Sequence, residues 1–197
     1  MKAPGIFCLE GEWDGNLRDR RSVVPLLDTL DRLGIARSIH RDFATKTEFI
    51  YYLNKWTQKG YHDFFVLYIA SHGDTGLLSS GHDKITLDDL EAAIDGKAAG
   101  GVIYFGSCLT LVTDDERLKR FVKNTGASVV VGYREEIDWL EGAAFELLLL
   151  DRLVRGDRSD AFFRRLNRDH GQFAADLGLV VATATKVMPA IAPVPDQ

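Results

Sequence analysis

Phe64-Phe65-Val66-Leu67-Tyr68-Ile69-Ala70-Ser71-His72-Gly73-Asp74 is the stretch that decides the fold. Its first seven residues are all apolar or aromatic, types that suit extended backbone. A short apolar run bounded by turn residues predicts a strand buried on both faces, in the middle of a parallel sheet. Ser71, His72 and Gly73 follow at once, so this strand delivers an imidazole to the C-terminal edge of its sheet. Ligands of open α/β sheets bind along that edge. The pattern returns at Gly101-Val102-Ile103-Tyr104-Phe105-Gly106-Ser107-Cys108, which predicts a second buried strand ending in a thiol.

Outward from these two, further strands are expected at 6–10, 36–43, 127–133 and 179–183. Helical spacing of Val23, Leu26, Leu27, Leu30 and Leu33 predicts a helix capped by Ser22 and stopped at Gly34. Thr45 or Thr47 caps a second helix carrying Phe49, Ile50, Leu53 and Trp56. A Thr-x-x-acid capping box at Thr86 and Asp89 starts a short helix over 87–94. Further helices are expected over 114–123, 139–155 and 160–170. Residues 75–84, rich in Gly, Ser and Asp, read as a small hairpin turning at Ser80-Gly81-His82-Asp83, and the tail from Met188 as frayed. Strands alternating with helices predict an α/β three-layer sandwich over 1–197, one domain with a mainly parallel sheet of about six strands.

Composition narrows the function classes. A net charge of −5 argues against a nucleic-acid partner, and no apolar stretch approaches the roughly 20 residues that span a bilayer, so no membrane is expected. Two cysteines make no disulfide framework, and the start of the chain lacks the apolar core of a secretory leader; the expected location is cytoplasmic. Cys8 falls inside a strand and reads as core. His40, His62, His82 and His170 lack metal-ligand spacing and read as solvated. Ser71 and Ser107 read as turn residues, since no Gly-x-Ser-x-Gly elbow is present.

Cys108 and His72 carry the chemistry. A thiol attacks carbonyls as thiolate and needs a base beside it, for which histidine is suited by a pKa near neutrality. The hairpin and helix between the two apolar runs are enough to make their strands parallel neighbours, so both side chains leave the same edge. Acyl transfer also needs donors for the developing oxyanion. Gly73, without a Cβ, brings its N–H close to a substrate, and the Cys108 N–H is the second candidate.

A strand ending Ser-His-Gly-Asp followed by one ending Gly-Ser-Cys resembles the caspase-like (clan CD) cysteine peptidases, closest in type to the small prokaryotic CHAT-related members. The resemblance implies His72 and Cys108 as catalytic dyad, the N–H groups of Gly73 and Cys108 as oxyanion donors, and cleavage of a protein or peptide substrate without metal or cofactor. It also implies an activating partner protein as a possible second player, and a setting in bacterial defence or cell death. The Gln-Ala-Cys-Arg-Gly block of animal caspases is absent. The aspartate that metacaspases carry two residues before the cysteine is Gly106 here. By the same resemblance, the loops at 10–21 and 134–139 line the pocket for the P1 residue. Glu12, Asp14, Glu135, Glu136 and Asp138 there suit a basic P1, and Arg18, Arg20, Arg21 and Arg134 an acidic one; Asp14 and Asp138 are favoured. Trp139 reads as core or as a subsite wall, and Ser107 as a further lining residue.

Two rivals keep the same architecture: an inactive caspase-like scaffold, and a flavodoxin-like domain that binds a nucleotide or signal. Against the second, no Gly-x-Gly-x-x-Gly or Gly-x-x-x-x-Gly-Lys-Ser/Thr loop follows any strand. Oligomeric state has no signature in the sequence.

Overall fold

In the structure, a computed structural model that describes residues 3–14, 16–81 and 83–191, the two apolar runs are neighbours. The chain runs β1 (Gly5–Gly11), α1 (Val24–Arg32), β2 (Arg37–Phe43), α2 (Lys46–Trp56) and β3 (Val66–Ala70). It then forms β4 (His72–Asp74), β5 (Leu77–Ser80), β6 (Asp83–Thr86), α3 (Leu87–Ile94) and β7 (Val102–Gly106). Last come α4 (Asp115–Thr125), β8 (Val129–Tyr133), α5 (Trp139–Leu153), α6 (Ser159–Asp176), β9 (Leu179–Ala182) and β10 (Val187–Pro189). The central sheet has the order β10-β9-β8-β7-β3-β1-β2. Its five strands from β2 to β8 are parallel, and β9 and β10 add antiparallel.

Alternation along the strands divides the core. Ile6, Cys8, Val66, Tyr68, Tyr104 and Val131 face one way, against Leu27 and Leu30 of α1, Phe145 and Leu149 of α5 and Phe162 of α6. Phe7, Leu9, Leu67, Ile69, Ile103 and Phe105 face the other, against Phe49 of α2, Leu90 of α3 and Leu118 of α4. Each such side chain, fully buried, stabilises the fold by about 1.5–3 kcal/mol. The three-layer α/β sandwich expected from the sequence is therefore present, and Cys8 is core as expected, with no exposed surface.

Local signals hold at most helix starts. Thr45, rather than Thr47, caps α2 with Glu48 as reciprocal partner, and Thr86 and Asp89 do the same for α3. Ser22 stands one residue further from its helix than expected: α1 begins at Val24, whose N–H reaches the Ser22 Oγ at 3.1 Å. α6 runs on past the expected end, and a non-helical His170 (φ −143°) marks where the periodicity breaks.

Three features differ from the sequence reading. The expected hairpin exists as β5 and β6, but residues 72–74 join it, so the chain leaves β3 into a second, antiparallel sheet, β4-β5-β6. His82 lies outside the described residues. The central sheet has seven strands among the described residues, because the tail does not fray at Met188: Val187–Pro189 pairs with β9, Met188 opposite Val181. His40 is not solvated but paired with a buried glutamate. Among the described residues, no helix is long and apolar enough to cross a membrane.

Candidate active site

The sheet register sets the site. β3 and β7 pair from Val66 opposite Val102 to Ala70 opposite Gly106, and one step on the Ser71 N–H donates to the Ser107 Oγ at 3.3 Å. Ser71 and Ser107 stand in bends directly after their strands, as expected of turn residues, and are buried there as a cross-strand tie. His72 and Cys108 each follow such a tie by one residue, on strands about 5 Å apart, and both line one cavity of about 230 Å³. Gly73 brings the backbone of β4 against the cysteine. A Cβ at that position would strike the Cys108 carbonyl oxygen and come within 2.6 Å of the Thr110 Oγ1.

His72 is exposed, and its ring is held from the loop after β1. Its Nε2 lies 2.5 Å from the Trp13 carbonyl oxygen. A carbonyl can only accept, so Nε2 carries the proton and Nδ1 is left as the basic nitrogen. The Trp13 ring meets the imidazole edge-on at 5.5 Å and Trp139 at 4.6 Å, so the two indoles wall the cavity beside the histidine.

Trp13 is in turn anchored to Glu10, at 3% exposure the second-last residue of β1. Its Oε1 accepts from the Trp13 Nε1 at 2.6 Å and the Val23 N–H at 2.8 Å. Its Oε2 accepts from the Ser22 hydroxyl at 2.8 Å and lies 2.6 Å from the His40 Nε2. Burial pushes the Glu10 carboxyl up, but the bonds from His40, Trp13, Val23 and Ser22 outweigh it and leave the group below its ordinary range. The same hydrogen bond raises the His40 pKa against the effect of its own burial. Glu10, His40 and Asp42 bring ligand-type atoms within 4.8 Å of one another, yet both Glu10 oxygens are already spent on these four donors.

Cys108 is half-buried. The Ile137 N–H, in the loop before α5, donates to its Sγ at 3.4 Å, placing the positive end of a backbone dipole at the sulfur. Leu109 takes φ +55°, a conformation that costs a branched residue free energy. It is held there by its N–H to the Glu135 carbonyl at 3.3 Å and by the Leu111 N–H to the Tyr133 carbonyl at 3.1 Å. The backbone therefore turns sharply at the cysteine and leaves the thiol at the cavity.

A second buried carboxylate belongs to the same cavity. Glu146, on α5, accepts from the Tyr68 hydroxyl at 2.6 Å and the Tyr104 hydroxyl at 2.8 Å. The Tyr104 oxygen is 2.8 Å from that of Tyr133. A phenol has one proton, and that of Tyr104 goes to Glu146, so Tyr133 is the donor to Tyr104. Burial raises the Glu146 pKa to about 7 despite the two phenol bonds. Glu146 lines the same cavity as His72 and Cys108. Gly106 makes room for it, because a Cβ there would lie 2.5 Å from the Glu146 Oε1 and 2.6 Å from the Tyr68 Cε2.

The other residues singled out by sequence are placed unequally. Trp139, Ser107 and Asp138 line the cavity. The Asp138 Oδ1 is engaged as the N-cap of α5, accepting from the Leu140 and Glu141 N–H groups. Asp14 does not line it; it lies in the loop after β1, where it pairs with Arg21 at 3.2 Å. Among the described residues, Glu12, Glu135 and Glu136 are absent from the lining as well, and so is every lysine and arginine. Arg134 is turned away to Asp115 and the carbonyls of Leu111 and Thr113. Trp13, Glu10 and Glu146 went unmarked in the sequence. The one signal for Glu146 was a carboxylate in the stripe of Gly142, Leu149, Leu150 and Leu153, a position that obliges it to find donors.

Residues 4–170 match the family described as "Family of unknown function (DUF6642)". No curated protein matches the chain. Among solved structures it is similar to caspase-1 from Spodoptera frugiperda, at 11% identity and a TM-score of 0.55, over 100% of this chain and 93% of that one. That likeness establishes a caspase-like fold. A secreted C11 cysteine protease from Bacteroides thetaiotaomicron, in complex with an irreversible peptide inhibitor, aligns at 10% identity and a TM-score of 0.47, over 93% of this chain and 67% of that one.

Proposed function

This chain belongs to the DUF6642 family of unknown function, and we propose that it is a cysteine endopeptidase cutting peptide bonds in a partner protein through His72 and Cys108. The observation that carries this reading is the shared cavity: the thiol lines it together with an imidazole whose Nε2 is fixed on the Trp13 carbonyl. In this mechanism the Nδ1 of His72 takes the thiol proton as Sγ attacks the scissile carbonyl carbon. The N–H groups of Gly73 and Cys108 meet the oxyanion. Collapse breaks the C–N bond, and His72 gives its proton to the leaving amine. Water, losing a proton to the same nitrogen, then hydrolyses the thioester and releases the carboxylate, and that proton returns to the thiol. Every step uses groups of this chain. The kinship with CHAT-type peptidases, a cytoplasmic location, an activating partner and a role in bacterial defence or cell death belong to the same proposal.

Cleavage of a peptide library varied at P1 tests it. The wild type cuts a subset of the library, and Cys108→Ala lowers the rate by at least about 10³-fold. Equal cutting by both proteins overturns the mechanism. Peptide binding without cutting returns the scaffold reading.

A further inference from the structure

We propose that Glu146 is the specificity residue of this cavity, and that its carboxylate takes the guanidinium or ammonium of a basic P1 side chain. The inference deepens the peptidase reading and rests on it for the term P1. Three observations carry it. First, the carboxylate is placed at the cavity: it lines it with Cys108 and with Gly106, two residues before the cysteine, where a Cβ would lie 2.5 Å from the Glu146 Oε1. Second, its hydrogen-bond network is directed inward and is short of charge. Tyr133 donates to Tyr104, and Tyr104 and Tyr68 donate to Glu146, so every phenol proton is committed to supporting an anion. Among the described residues no lysine, arginine or histidine pairs with that anion, whereas a carboxylate has about four acceptor positions and the phenols fill two. The partner still missing is a cation.

Third, the walls fit the rest of a long basic side chain. Val23, Leu26, Ile137 and Ala143 line the same cavity as Glu146, apolar surface for a methylene stem that keeps its charge at the far end. Among the described residues an acidic P1 finds no lysine or arginine on those walls, and its carboxylate would face Glu146. Asp138, the other acid of the lining, spends an oxygen on the α5 N-terminus and sits at the exposed side.

Arginine and citrulline separate charge from shape, since they are nearly isosteric and only the first is cationic. The test uses full-length Cys108→Ala protein, which cannot turn over, and calorimetric binding of two tripeptide amides ending in arginine or citrulline. The arginine peptide should bind about tenfold to a hundredfold tighter, the range of one charge-assisted bond to a buried carboxylate. In Cys108→Ala/Glu146→Gln, with circular dichroism confirming the fold, that ratio should fall to within about threefold of unity. Equal binding of the two peptides, a preference that survives Glu146→Gln, or no binding of either overturns the inference. Tight arginine-dependent binding with no cutting by wild type would sink the peptidase reading and leave the cation site standing.

Discussion

Glu10, on β1, and Glu146, on α5, are the same residue type and both buried, yet their carboxyl pKa values move in opposite directions. Glu10 has four donors, one of them an imidazole that becomes cationic, and is held below the ordinary carboxylate range. Among the described residues Glu146 has two phenols and no cation, and burial raises it to about 7. Hydrogen bonds satisfy both; the counter-charge decides which one stays ionised without help. Glu10 is built as a structural anchor, complete within the chain. Glu146 is complete only with a visitor.

Removing an oxygen cluster from the anchor should have the largest effect. Glu10→Ala leaves His40, Trp13 and the Val23 N–H without their acceptor, and costs about 3–5 kcal/mol in denaturant unfolding. The milder Glu10→Gln should retain the fold and lower kcat more than it raises KM, because the Trp13 carbonyl that holds His72 loses its tether. Unchanged kcat in a folded Glu10→Gln protein would break the link from anchor to histidine.

Glu146→Gln should move stability the other way. Between pH 4.5 and about 7 the folded protein keeps a proton that the unfolded chain has released, so this residue makes stability fall as pH rises through that interval. The Glu146→Gln protein should therefore match wild type near pH 4.5 and exceed it above pH 7, by on the order of 3 kcal/mol at most. A variant less stable than wild type at pH 8 would contradict the charge-poor reading of the network.

The smallest effect belongs to His40. Its raised pKa makes its contribution complete below about 6.5 and lost as pH rises through the folded value. Glu10's contribution is complete above 4.5 and lost as pH falls through its lowered value. The pair is worth most between those limits. His40→Gln should cost about 1–2 kcal/mol near pH 5.5 and less at pH 8.5, as unfolding curves at the two pH values would reveal. A loss independent of pH would mean the pair is an ordinary hydrogen bond.

The two halves of the site differ in legibility for physical reasons. His72 and Cys108 could be read because a buried strand writes itself as an apolar run, and a polar residue directly after it must leave the sheet edge. The capping box at Thr86 could be read because both partners sit within one turn; at α2 the sequence leaves Thr45 and Thr47 open as the cap, and the reciprocal bond with Glu48 decides for Thr45. The partner of His72 could not be read, because it is a backbone carbonyl, which every residue has. Glu10 and His40 are thirty positions apart and meet only through the register of β1 with β2, Cys8 opposite His40. Asp14 and Asp138 are favoured as the acid of the pocket because loops suggest exposure and function; Asp14 pairs with Arg21 instead, Asp138 lines the cavity, and Glu146, on a helix face, carries no such signal. β10 escaped because Pro189 and a short apolar pair give little strand signal at a sheet edge.

Covalent trapping tests the account most directly. After incubation with a peptidyl chloromethyl ketone, intact-mass and peptide-map spectrometry should find one label per chain, on Cys108 and not on the buried Cys8, and His72→Ala should lose most of it. An unlabelled Cys108 in the folded protein, or labelling indifferent to His72, would contradict a thiol and imidazole acting together.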